Sequence, residues 1–274
     1  MATGEGGGIR VGSSSGQQAR LTINDSTLDG NEAAFGGGIS ADQVSVTSST
    51  ISNNTATSDG GGIFTGSRGG ANIQQSSIFD NTAGRRGGGI RSTGLASINN
   101  STISGNSAAS EGGGGIAQQG DYLSIDSSTI SGNTSESYGG GVFVDQGGLL
   151  ITSTTVTQNT TSTIGGGGGV AFINGSQEAG LLSSIVSGNS DPNGHNNLDG
   201  SGTYMSSYGF FSGYSSMIGS GDSVYGPDHL FSNAPGLGEL SDNGGPTLTH
   251  APLEASPAIN AGSCLLYTSD AADE

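Results

Sequence analysis

Three apolar columns recur along this chain at a nearly constant spacing. The first closes a run of glycines and comprises Ile9, Ile39, Ile63, Ile90, Ile116, Val142 and Val170. The second comprises Leu28, Ile51, Ile78, Ile103, Ile130, Val156 and Val186. Five residues before each of its members stands a third: Ile23, Val46, Ile73, Ile98, Ile125, Ile151 and Leu181. Three residues after each stands an asparagine: Asn31, Asn54, Asn81, Asn106, Asn133, Asn159 and Asn189. The units are 23 to 30 residues long, and both offsets hold in all seven. A fixed period in this range is the signature of a solenoid.

Within a unit the pattern is that of strands. "LTI" at 21–23, "VSV" at 44–46 and "LSI" at 123–125 alternate apolar and polar positions, and no segment keeps a helical spacing for three turns. Each unit is expected to supply three very short strands and three bends. A single coil cannot bury its own apolar residues, whereas stacked coils turn each column into a continuous internal ladder. At a strand spacing of about 4.8 Å, seven coils rise roughly 34 Å.

Composition fits this design. Hydrophobic residues are 31% and aromatics 5%, with no Trp and 54 glycines, so no bulky core is available. The fold must rest on many small repeated contacts. Glycine and asparagine both tolerate the left-handed backbone region. Stacked asparagines can hydrogen-bond along the stack, and Ser and Thr of "SST" can pair with counterparts one coil away. The glycine triplets are therefore read as structural. A phosphate-binding loop needs a lysine, and the chain has none. The calcium-binding nonapeptide needs Asp where residues 112–117 carry Ala117.

The paired motifs "GGG[IV]" and "[ILV]xxN" resemble those of polymorphic outer membrane proteins and related right-handed parallel β-helix proteins, with Ile, Leu or Val in place of Phe. Residues 240–263, "LSDNGGPTLTHAPLEASPAINAGS", are similar to the segment that ends the β-helix in bacterial choice-of-anchor Q surface proteins. The resemblance spans residues 2–263. It implies an all-β, right-handed, single-stranded parallel β-helix of about seven to eight coils with a C-terminal cap, exported to the cell surface or secreted. "SSYGFF" at 206–211 departs from the Gly-Tyr-Asn-Leu-like turn of that group.

The expected organisation is a repeat region over 1–190 and an irregular last coil, cap and junction over 191–263. Tyr204, Tyr208, Phe210, Phe211, Tyr214 and Tyr225 gather there, followed by five prolines. "ATGEGGGI" at 2–9 aligns with "ATSDGGGI" at 56–63, so the start falls inside a repeat. A larger exported protein with its export signal upstream is expected. Residues 264–274, "CLLYTSDAADE", contain the only Cys and resemble translated sequencing adapter, a non-native tail. Without it no cysteine-based disulfide or metal site exists.

Charge narrows the partners. Six arginines oppose 23 acidic residues, for a net charge of −17, and nothing beyond Arg91 is formally positive. Phosphate backbones and anionic membranes need clustered cations, so neither nucleic acid nor direct membrane insertion is expected. Glycoside hydrolysis needs two carboxylates facing one sugar. The outward positions beside the columns, among them Thr22, Ser45, Asn72, Thr50, Thr102 and Thr129, carry none. No catalytic residue, metal or cofactor is therefore assigned. His195, His229 and His250 are read as exposed loop residues. Residues 191–199, "DPNGHNNLD", hold oxygen ligands from Asp191 to Asp199 but lack the later Glu of an EF-hand loop; they are read as a turn.

Binding is expected where loops vary. Residues 10–20 and 173–179 would project from one edge. Beside them runs an outward row after the glycines, and Arg10, Phe64, Arg91 and Phe143 of this row form a candidate binding face. The resulting expectation is a non-catalytic surface module, adhesin-like or a stalk, whose partner is an unidentified carbohydrate or protein. The alternative is a carbohydrate-active β-helix enzyme or carbohydrate-binding module.

Overall fold

The computed structural model describes residues 4–12, 18–66, 69–173, 179–195, 197–199, 211–214, 217–218, 230–232 and 234–259. The aromatic cluster at Tyr204, Tyr208, Phe210 and Tyr225, the tail at 264–274 and the centres of both long loops lie outside these residues.

The chain is an all-β parallel solenoid of about seven turns. Each coil supplies four strands, not three. The coil from Ile39 shows the plan: Ile39–Ala41, Gln43–Thr47, Thr50–Ser52 and Thr55–Ala56 belong to four separate sheets, called I to IV. Every strand pairs in parallel with its counterpart one coil away. Ile39 aligns with Ile63, Val46 with Ile73 and Ile51 with Ile78. The fourth strand is only two residues long, and its inward side chain is small: Ala33, Ala56, Ala83 and Ala108, all at most 1% exposed. Its signature is the small residue two places after each asparagine.

The three apolar columns fill the interior. Ile39, Ile63, Ile73, Ile78, Ile90 and Ile103 are wholly inaccessible. Each buried Ile contributes about 1.5–3 kcal/mol relative to exposure. The bends cannot be held that way, because a buried backbone N–H needs a partner. Asn54 shows the solution. Its Oδ1 accepts the backbone N–H of Asn31 and one Nδ2 hydrogen of Asn31, both at 2.9 Å. Its own N–H and Nδ2 donate to Oδ1 of Asn81, each at 3.0 Å. Its second Nδ2 hydrogen reaches the carbonyl of Leu28 at 3.1 Å. The same bonds recur at Asn81, Asn106, Asn133 and Asn159 and arrive at Asn189. Asn197, standing where earlier coils have their third glycine, supplies the last acceptor.

A second ladder works alike at the bend between sheets II and III. The N–H groups of Ser49, Ser76 and Ser101 donate to the hydroxyls of Ser76, Ser101 and Ser128 at 3.1–3.2 Å. Each hydroxyl donates in turn to the carbonyl two residues back. At both bends the left-handed residue is the one before the ladder residue. Asn53, Asp80 and Gln158 precede ladder asparagines, and Ser48, Gln75 and Asn100 precede ladder serines. The ladder asparagines themselves are not left-handed.

The glycine triplet completes the asparagine bend. Gly60 takes φ 68°. A Cβ on Gly61 would lie 2.3 Å from the carbonyl oxygen of Gly88, and one on Gly62 would lie 3.2 Å from the Asn81 carboxamide. The first glycine turns the chain, and the other two let the next coil and its asparagine approach.

The stack continues beyond 190 in strands that pair Val170 with Leu198, Ala179 with Phe211 and Val186 with Ile218. Residues 191–194 form a short antiparallel hairpin turn. Asp191 accepts N–H bonds from Asn193 at 2.8 Å and Gly165 at 2.7 Å. Farther on, Leu237–Ser241 and Thr249–Pro252 form an antiparallel hairpin. It lies along the outside of sheet III, where Thr102 Oγ1 donates to the Leu248 carbonyl at 2.5 Å.

The ladder predicts a position-dependent cost. Asn106→Ala removes a central rung and strands the buried N–H of Asn81, so urea unfolding should show a loss on the order of 3 kcal/mol. Asn31→Ala acts on the half-exposed first coil, where water replaces the lost partner, and should cost no more than about 1 kcal/mol.

Candidate functional site

The row expected to form a binding face proves largely covered. The bend at each glycine triplet folds the chain back, so that the residue four before the column Ile or Val lies over the residue one after it. Glu5 thereby meets Arg10, with Nε and Oε2 3.1 Å apart. Tyr138 stacks on Phe143, ring centroids 6.1 Å apart. Phe64 is half-buried and packs on Phe35 of the neighbouring coil at 5.2 Å. Phe143 is 6% exposed and joins Ala117 and Ala171 in a small outer apolar cluster. Arg91 is 4% exposed. Only Arg10 of the four projects into solvent. The sequence signal for this cover is the pairing across the triplet: Glu with Arg, Tyr with Phe.

Arg86 and Arg91 occupy these two positions in one coil, so two like charges share one layer. Neighbouring coils supply the counter-charge. Glu111 is held by Arg85 Nη2 at 2.6 Å and by Arg86 Nη2 at 2.7 Å. Asp59 lies 3.8 Å from Arg85 Nη1 and accepts the Arg86 backbone N–H at 3.2 Å. Arg91 donates to Gln119 Oε1 at 2.5 Å and to the Ser92 carbonyl at 2.7 Å. The Nε atoms of Arg86 and Arg91 are buried without a partner among the described residues. Burial first, then the charge of Arg86, pushes the Arg91 guanidinium down to about 10, against the pull of Asp59 and Asp145. The hydrogen bond from Arg85, and then the charges of Arg86 and Arg85, hold the Glu111 carboxyl below its usual range.

A groove of about 560 Å³ runs instead along the outside of sheet II. Its floor is Thr22, Ser45, Asn72 and Ser97, and Arg20, Gln43, Leu95 and Asp121 border it. Arg20 Nη2 donates to Gln43 at 2.9 Å. Leu95 is 63% exposed. The hydroxyls and amides of the floor repeat at the coil spacing, so the groove offers a periodic polar surface with one apolar contact.

His250 corrects another expectation. It is 6% exposed, not a free loop residue, and lies beneath the C-terminal hairpin. Its Nε2 is 2.7 Å from Ser131 Oγ and its Nδ1 2.7 Å from the Gly238 carbonyl. The side chain of His195 and all of His229 lie outside the described residues. Among the described residues no group of three or more His, Cys, Asp or Glu is placed to hold a metal, and no helix is long and apolar enough to cross a membrane.

The family model for right-handed β-helix regions matches residues 37–211. The chain belongs to the right-handed β-helix family. No curated protein and no solved structure gave a match. Within this family member, the asparagine and serine ladders and the glycine triplets account for the repeated motif, and the groove on sheet II is an open polar surface among the described residues.

The arginine layer has a signed consequence. A folded-state value below that of an ordinary guanidinium means that the unfolded chain holds the Arg91 proton more tightly. Its contribution to stability therefore rises as pH climbs above about 10, and at pH 7 the buried charge is a net cost. Arg91→Met keeps the length and removes the charge. Thermal melting at pH 7 should show it equal to the parent or more stable by up to about 2 kcal/mol.

Proposed function

We propose that this chain is a non-catalytic β-helix module of a bacterial protein, secreted or held on the cell surface, that acts as a stalk or adhesin-like presenter. The observation that carries the reading is the use made of the repeated polar side chains. The buried asparagines and the ladder hydroxyls are committed to backbone groups of their own or neighbouring coils. The motif thus builds an axial rod and leaves its outer faces free to vary. The acidic, lysine-free composition suits a soluble surface that repels its own kind. The resemblance of residues 240–263 to choice-of-anchor Q surface proteins supports the same placement.

The groove on sheet II favours a second reading, a carbohydrate-binding or carbohydrate-active module. Hydroxyl and amide groups at the coil repeat suit an extended polar polymer lying along the axis, with Leu95 as an apolar contact and Arg20 at one end.

Incubation with a panel of plant and bacterial polysaccharides separates these readings. The proposal expects no released oligosaccharide. Retention on one polysaccharide, weakened by Asn72→Ala or Arg20→Ala, makes the module a saccharide-binding presenter. Oligosaccharide release contradicts the non-catalytic reading outright.

A further inference from the structure

The C-terminal hairpin brings together two side chains 119 positions apart in the sequence, Ser131 and His250. Ser131 ends the sheet III strand Thr129–Ser131 and points outward, beneath the hairpin. Ser131 Oγ and His250 Nε2 are 2.7 Å apart. On the other side of the ring, Nδ1 is 2.7 Å from the Gly238 carbonyl oxygen. A carbonyl can only accept, so Nδ1 carries the hydrogen and Nε2 of the neutral ring is the acceptor for the serine O–H. A hydroxyl, a base within hydrogen-bond reach and a third group that fixes the base are the parts of an activated nucleophile. Thr102 makes the contrast: its hydroxyl is spent on the Leu248 carbonyl and faces no base.

Ser131 borders a hollow of about 330 Å³ between the hairpin and sheet III, with His250 behind it. Leu240 and Leu248 form its apolar wall, and Asp80, Thr102 and Gln158 contribute polar groups. The size and the mixed lining suit a short acyl group joined to a polar alcohol. We propose that Ser131, activated by His250, is an acyl acceptor for short acyl esters entering this hollow. Ser131 Oγ bonds to the acyl carbon as its proton passes to His250 Nε2. The ester C–O bond breaks, and the departing alcohol takes that proton. The acyl-serine is the product of this step, formed once per chain. This reactivity goes beyond the presenting role and does not depend on it.

A fluorophosphonate probe tests the pair directly. The Ser131 Oγ–P bond forms, the P–F bond breaks, and the proton leaves through His250 with fluoride. Intact mass and peptide mapping should find one label, on Ser131, and none in Ser131→Ala. His250→Gln should slow labelling by roughly 100-fold or more. Thr247→Val, which removes the hairpin's hydrogen bond to the Asn100 carbonyl outside the hollow, should not change the rate. Should His250→Gln melt well below the parent, the site of the wild-type label and its loss in Ser131→Ala decide alone. With p-nitrophenyl acetate, one equivalent of nitrophenol should appear, with a lasting acetyl mass on Ser131. Absence of an adduct at Ser131, or labels scattered over other serines, overturns the proposal. So does continuous turnover of the nitrophenyl ester.

Discussion

A solenoid with this little apolar bulk is governed by what happens to backbone N–H groups at its buried bends. A strand interior satisfies them through the neighbouring coil, but a bend turns them away from that ladder, and a buried unmet N–H costs about 1–3 kcal/mol. Here each bend borrows a side chain from the next coil: an asparagine carboxamide at one corner, a serine or threonine hydroxyl at another. Everything else at these corners follows. The left-handed residue just before aims the ladder residue inward. The glycine column gives the carboxamide room, and the small side chains of sheet IV narrow the coil beside it. The arrangement is directional, because each rung donates to the next, and it ends when Asn197 supplies an acceptor from the glycine column.

Much of this was legible in the sequence, because column and asparagine share fixed local offsets. Ile51 and Asn54 are three residues apart in the chain and one corner apart in space, so periodicity alone places both. The fourth strand escaped because Thr55–Ala56 has only two residues, too few to show an alternation. The cover over sheet I escaped for another reason. Tyr138 and Phe143 stand on either side of a glycine triplet, and only a bend that folds back on itself makes them neighbours. An outward strand position was read as exposed, which holds for Arg10 and fails for Arg91 and Phe143. His250 carried no local signal at all, since its partner Ser131 belongs to a coil far earlier in the chain.

The outer faces differ in how they are used. Sheet I is roofed by its own chain, and Arg86 and Arg91 lie in that cover, opposed by Glu111, Asp59 and Asp145. Sheet III carries the C-terminal hairpin. Sheet II keeps an open polar groove. A rod that spends its repeated residues on itself can vary these three faces independently. One stack can thereby carry a covered face, a groove of periodic hydroxyls and a docked hairpin without disturbing the ladders.

The central claim is that the asparagine ladder carries the bends, and amide hydrogen exchange reads it most directly. The N–H groups of Asn54, Asn81, Asn106, Asn133 and Asn159 should exchange only through global unfolding, with the same free energy as the central strands, while Asn31 exchanges sooner. Exchange at those five positions as fast as at exposed turns such as Asn193 and Gly194 would contradict the account, because the bends would then be held by something other than the ladder.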